Sequence, residues 1–271
     1  MTSSMPRPRE QWTAGNRYEA YVGRWSRLVA RKFIEWLRLP ARLRWLDVGC
    51  GTGALTQTIL ASAAPAEVMG IDPSKEFIAA ARDLVQDKWV RFQTGEARAL
   101  PLEDTVFDVV VSGLLLNFVP APATAIAEMR RVVRGGGTIA LYVWDYAGEM
   151  QMMRHFWNAA TALDPSAHPL DEGERFLICK PGNLLALFKD CGIREPECTI
   201  LDVATVFRNF DDLWSPFLGG QGPAPTYLGT LSEDRQTRLR EHVRAHLPIA
   251  KDGSIHLIAR AFAVRGIEPA G

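Results

Sequence analysis

Three acidic residues and a run of glycines carry the chemistry that this sequence suggests. Trp45-Leu46-Asp47-Val48-Gly49-Cys50-Gly51-Thr52-Gly53 passes from an apolar strand through glycines into a helix. Glycine there lets a ligand reach backbone where a Cβ would clash, and meet the free N–H groups of the helix N-terminus. The spacing is G-x-G-x-G and not the G-x-G-x-x-G of dinucleotide turns, which disfavours a nicotinamide-linked reductase. Asp47 puts an anion beside the approaching ligand, suiting a cationic or amine-bearing one. It can equally tie down the turn through backbone N–H groups, and the two roles are compatible. Asp72 follows about 20 residues on, where an acid can accept both hydroxyls of a ribose or cap the next helix. Glu96, in Gly95-Glu96-Ala97, can accept from an adenine amino group, or stand as a surface acid.

These residues need strand ends to hold them. Apolar runs predict strands at 44–48, 67–71, 90–94, 107–112 and 138–144. Helices are predicted at 54–63, 75–86 and 123–134, with Ser74 as N-cap of the second. Gly135-Gly136-Gly137 are read as the end of the third helix. Strands alternating with helices at this interval imply a doubly wound parallel α/β sheet, which binds ligands at the carboxyl ends of its strands. Ahead of it lies a polar arm (1–16) and a helix from Tyr18 to Trp36 with apolar residues on one side and arginines on the other. Behind it, residues 145–180 are bulky without clean periodicity, a helix spans 182–191, and strands are predicted at 194–206 and 255–264. A Gly- and Pro-rich loop and a further helix lie between them.

Composition narrows the class. A chain of 271 residues, 47% hydrophobic and 23% charged, is globular, not disordered. Its 31 basic and 31 acidic residues argue against a dedicated nucleic-acid binder. Cys50, Cys179, Cys191 and Cys198 have neither metal-ligand nor disulfide-framework spacing, so no metal is expected. No apolar run reaches the roughly 20 residues of a membrane helix, and no signal sequence is visible, so a cytoplasmic protein without a membrane partner is expected. The charge is unevenly spread: residues 1–44 hold ten basic and three acidic residues, and residues 145–220 hold six and twelve. That contrast predicts a basic lid drawn towards an acidic insert.

The motifs L-D-V-G-C-G-T-G (46–53), G-I-D-P-S (70–74), G-E-A-x-x-L-P (95–101), F-D-V-V-V-S (107–112) and M-R-R-V-V-R-G-G-G-T-I-A (129–140) stand in order. In them the sequence resembles the class I S-adenosylmethionine-dependent methyltransferases, in the small-molecule branch similar to ubiquinone- and menaquinone-biosynthesis enzymes. The resemblance implies a Rossmann-like seven-stranded sheet, six strands parallel and the last antiparallel, with an N-terminal helical lid and helical insertions. It divides the chain into an arm and lid helix (1–39) and a methyltransferase domain (40–271) with cap-like insertions at about 145–180 and 207–253. It implies S-adenosylmethionine as cofactor and S-adenosylhomocysteine as product. Carried over by position, cofactor-binding residues would be Asp47, Gly49, Cys50, Gly51, Asp72, Pro73, Glu96, Ala97, Ser112 and Gly113, covered by Tyr21, Arg24 and Trp25 of the lid.

The resemblance also implies methyl transfer to a small, partly aromatic or apolar acceptor, in a monomer or homodimer. Ser112-Gly113-Leu114-Leu115 stands where an Asn/Asp-Pro-Pro-aromatic element would mark nucleic-acid amino-methylation. Trp144, Tyr146, Trp157 and Trp214 are the candidates to line an acceptor pocket, against the alternative that they fill the core of the insert. A base is needed if the nucleophile must lose a proton. Asp145, His155 and His168 are the candidates, against helix-capping, surface or core roles. A non-catalytic regulatory protein that binds S-adenosylmethionine is the alternative from another class.

Overall fold

The computed structural model describes residues 24–219 and 222–270. Strands β1 (Arg44–Val48), β2 (Glu67–Asp72), β3 (Val90–Thr94), β4 (Phe107–Gly113), β5 (Val133–Trp144), β6 (Arg194–Phe207) and β7 (Ile255–Ile267) form one sheet. Their order is β3-β2-β1-β4-β5-β7-β6, with β7 antiparallel to both its neighbours and the others parallel. The expected seven-stranded mixed sheet is therefore present. In β4, Phe107, Val109, Val110 and Val111 are all buried, as a strand covered on both faces requires.

Helices α1 (Arg24–Leu37), α2 (Ala54–Ala63), α3 (Lys75–Leu84) and α4 (Pro122–Val132) precede β5, and α5 (Gln151–Leu163), α6 (Glu172–Arg175) and α7 (Pro181–Asp190) follow it. The segment between β6 and β7 carries α8 (Phe210–Trp214), α9 (Pro223–Gly229) and α10 (Glu233–Ala245). Chain order runs outward from β1 to β3 on one side and from β4 to β5 on the other. Right-handed crossovers therefore put α2 and α3 on one face and α4 on the opposite face. The reversal between β1 and β4 opens a crevice at their carboxyl ends.

The first helix is part of the core. Val29, Ala30, Phe33 and Leu37 are buried, Phe33 packs on Tyr142 of β5 at 4.8 Å between ring centroids, and Arg265 of β7 donates to Leu37 O at 2.7 Å. Trp25 packs edge-on against Phe207 at the carboxyl end of β6, 5.3 Å between centroids. In its described part the predicted lid helix is thus a fixed layer on the sheet. Its N-terminus stands at the carboxyl edge, where Arg27 Nε donates to Gln57 in the first turn of α2 at 3.5 Å. Tyr21 lies outside the described residues, as does the side chain of Arg24.

Two other expectations change. Helix α4 stops at Val132, and Gly135-Gly136-Gly137 lie inside β5, not in a helix cap. The register shows why: Phe107 faces Val133 but Val109 faces Thr138, so the glycines are extra residues that the strand accommodates. The 145–180 segment, read without periodicity, contains the 13-residue helix α5, whose Met152, Met153, Phe156, Trp157 and Ala160 form one buried face. Among the described residues no helix is long and apolar enough to cross a membrane, and no cluster of three His, Cys, Asp or Glu side chains could hold a metal ion.

Candidate functional site

The turn after β1 hooks over the end of β2. The backbone N–H groups of Gly49 and Cys50 both donate to Ile71 O, at 2.7 and 3.0 Å. Gly49 and Gly51 have φ of +74° and +53°, a region that side-chain-bearing residues rarely adopt. A Cβ at Gly49 would stand 2.5 Å from Leu115 Cδ2, whereas one at Gly51 would meet nothing within 4 Å. The floor at Gly51 is therefore open to the crevice.

Asp72 joins the turn to the next helix. Its Oδ2 accepts from Gly51 N at 3.0 Å and its Oδ1 from Ser74 N at 2.9 Å. Ser74 Oγ in turn accepts from Phe77 N at 3.1 Å and caps α3. Burial raises the pKa of Asp72 above the ordinary carboxyl value, while the two N–H bonds pull it back. Its oxygens keep lone pairs for a ligand, because each accepts only one of these bonds.

Asp47 behaves differently. It is wholly buried beneath the turn, its Oδ2 accepts from Thr56 Oγ1 at 2.7 Å, and its Oδ1 has no partner. Burial pushes its pKa up to about 7, and the neighbouring charge of Asp72 adds to that. Neither sequence-derived role holds as stated: Asp47 does not line the crevice, and it bonds a hydroxyl of α2 in place of the turn's N–H groups.

A cleft of about 390 Å³ lies over these elements. It is lined by Gly49, Gly51, Thr52, Asp72, Pro73, Ser74 and Phe77 from the glycine turn, the end of β2 and the start of α3, and by Gly113, Leu114, Leu115, Phe118, Trp144 and Tyr146 from the ends of β4 and β5 and the segments after them. The structure thus brings together Gly49, Gly51, Asp72, Pro73, Gly113, Trp144 and Tyr146 from the residues singled out by sequence. Phe176 extends the aromatic lining, 5.3 Å from both Phe118 and Tyr146 between centroids. The indole N–H of Trp144 is buried without a hydrogen-bond partner.

Sequence reasoning missed Thr52, Ser74, Phe77, Leu114, Leu115 and Phe118 as lining. Thr52, Ser74 and Leu114 adjoin residues it did select, so adjacency was the available signal for them; Phe77 lies one helical turn beyond Pro73. Leu114 adopts φ +60°, unusual for leucine, and its N–H bonds Tyr142 O at 2.8 Å.

Several candidates fall elsewhere. Cys50 turns its thiol away into a small cluster with Ile78, Ala81, Val85 and Phe92, where burial pushes its pKa well up. Ser112 Oγ donates to Val48 O at 2.8 Å and ties β4 to β1. Glu96 leans to Arg98 at 3.5 Å, and Ala97 is in the core. Trp25 is occupied by Phe207. Asp145 is a turn cap, its two oxygens accepting from Gly148 N and Glu149 N at 2.9 Å each. His168 is exposed, and half-buried His155, its pKa lowered by burial and then by His246, is not on the cleft. None of the three base candidates faces it. Trp157 donates to Glu172 at 2.8 Å and Trp214 stacks on Phe210, both within the core of the insertions. They fill space between α5, α8 and α9 and do not form an acceptor wall.

A doubly wound sheet with a glycine turn and a second-strand acid at its switch point defines a protein that holds a nucleoside-type ligand at the carboxyl edge. Residues 46–141 match the family model described as a methyltransferase domain, and the chain carries a domain of the class I S-adenosylmethionine-dependent methyltransferase family. It is 30% identical over 190 residues to the 2-methyl-6-phytyl-1,4-hydroquinone methyltransferase of Synechocystis sp., covering 68% of this chain and 57% of that one. The chain spans about half the length of the curated relatives it matches. In fold it is similar to the YcgJ protein of Bacillus subtilis, with TM-score 0.57 and 20% identity over 90% of this chain and 99% of that one. It is also similar to Haemonchus contortus phosphoethanolamine N-methyltransferase 2 in complex with phosphomonomethylethanolamine and S-adenosylhomocysteine. That match has TM-score 0.57 and 15% identity, over 94% of this chain and 58% of the other.

Proposed function

We propose that this protein transfers the methyl group of S-adenosylmethionine to a small, partly aromatic or apolar molecule seated against the Leu115–Phe118–Trp144–Tyr146 wall of the cleft. The observation that carries this reading is the continuity of that apolar wall with the glycine turn and Asp72 in a single cleft. The residues suit the cofactor: Gly51 leaves space where a Cβ would stand, and Asp72 has lone pairs for the two ribose hydroxyls. When bound, the cofactor supplies a methyl on positively charged sulfur, already activated for attack. The chain's part is then positioning and exclusion of water. Asp72 and the turn anchor the nucleoside, and the aromatic wall keeps solvent from the acceptor.

The hydroquinone acceptor named for the Synechocystis relative supports a small aromatic acceptor here. A soluble cytoplasmic monomer or homodimer, without nucleic-acid or membrane partner, accompanies this proposal. The test is transfer of labelled methyl from S-adenosylmethionine into a metabolite extract, with mass identification of the labelled product. Cofactor binding without any labelled product would favour the second reading, a non-catalytic binding protein. That reading draws support from Asp145, His155 and His168 all lying off the cleft.

A further inference from the structure

The transfer reaction leaves one carboxyl group unused. Asp47 is fully buried, is hydrogen-bonded by Thr56 of α2, and has one oxygen without a partner. Its strand neighbours are Gly70 on β2 and Val111 on β4, neither ionisable. The titratable groups that act on it or feel it among the described residues are Asp72, at the end of β2, and the Cys50 thiol in the turn. Neither brings positive charge. A carboxyl so placed holds its proton to higher pH than an exposed one and gives it up more readily when a positive charge stands near.

The cleft above is where a cation arrives. Asp47 is two residues from Gly49, which lines the cleft, so the two Cα atoms are at most ~7 Å apart. S-adenosylmethionine carries a positively charged sulfur that S-adenosylhomocysteine lacks, and both keep the same ammonium and carboxylate. We propose that Asp47 reads this difference: it releases its proton to solvent when S-adenosylmethionine binds and regains one from solvent once the methyl has left and the sulfur is neutral. A positive charge brought near a buried carboxyl favours its ionised form, because little solvent lies between them to screen it. The cofactor is thereby held more tightly than the product, which helps the product leave. The inference rests on the cofactor alone and is independent of the acceptor.

Isothermal titration of the full chain with each compound, in phosphate and in Tris, counts the protons released. Near pH 7, S-adenosylmethionine should release roughly half a proton and S-adenosylhomocysteine much less. Affinity for S-adenosylmethionine should rise by up to about tenfold per pH unit below the midpoint and level off above it. Asp47→Asn should abolish both effects and narrow the affinity ratio between the two compounds. Thr56→Val, which removes the bond that favours the carboxylate, should shift the midpoint to higher pH. Equal proton counts for the two compounds would overturn the proposal, as would release that persists in Asp47→Asn, which would assign it to another group such as Asp72. Wild-type protein that binds neither compound would overturn the cofactor assignment and this inference with it.

Discussion

Asp47→Asn should change the stability of the ligand-free protein in a way that depends on pH. The native carboxyl is pushed up to about 7 from an ordinary value of 3.8 by burial, which its hydrogen bonding to Thr56 only partly offsets. Between these values the folded chain holds a proton that the unfolded chain has released. Stability therefore falls as pH rises through that window and is level above it. Three pH units at about 1.4 kcal/mol each amount to about 4 kcal/mol lost by pH 8, of which only about 1.5 kcal/mol is lost at pH 5. Asparagine keeps an oxygen for Thr56 but places an amide NH₂ where Oδ1 has no partner, a penalty of about 1–3 kcal/mol at every pH. The variant should be near or below wild type at about pH 5 and above it at about pH 8, a swing of roughly 2–3 kcal/mol independent of the amide penalty. Urea unfolding followed by tryptophan fluorescence at the two pH values, with unchanged m-value, measures the swing. The same difference between variant and wild type at both pH values would refute the burial argument.

Asp72→Ala should weaken S-adenosylmethionine binding by about 10–100-fold in isothermal titration, since charge-assisted hydrogen bonds are lost; unchanged affinity would remove Asp72 from the site. Gly49→Ala forces a Cβ to 2.5 Å from Leu115 at φ +74°, and should cost about 1–3 kcal/mol in thermal unfolding while pushing Leu115 into the cleft. Adding Leu115→Ala should recover part of the lost cofactor affinity. Trp157→Ala should destabilise the protein by about 3–5 kcal/mol without altering the acceptor KM of the folded fraction. Tyr146→Ala should do the reverse, raising KM with a smaller stability loss. A KM change in Trp157→Ala alone would return that residue to the acceptor wall.

Much of the fold was legible because it is written locally. The strand at Phe107–Gly113 shows itself by its Val109-Val110-Val111 run, and Ser74 shows its cap by standing one residue before α3. Helix α5 was not legible, because Met152, Met153, Phe156, Trp157 and Ala160 sit on its buried face amid other bulky residues that blur the period. The site divides the same way. Gly51 and Asp72 are tied by a hydrogen bond across 21 positions, yet both were found from their places at strand ends. Trp144 and Trp157 have the same side chain and both follow β4 in the chain, but only Trp144 reaches the cleft.

By itself the sequence determined the alternation of strands and helices, the glycine turn and the acid at the end of the second strand, because each depends on neighbours within a few residues. Only the tertiary structure decided which acids border the cleft. Asp47 is sealed beneath the turn, Asp145 is held by two backbone N–H groups, and Asp72 alone of the three stands in the cleft. The tertiary structure also decided which aromatics form a wall and which fill a core. The physical reason is that the direction a side chain faces is set by elements packed from distant parts of the chain, and no local period records that packing.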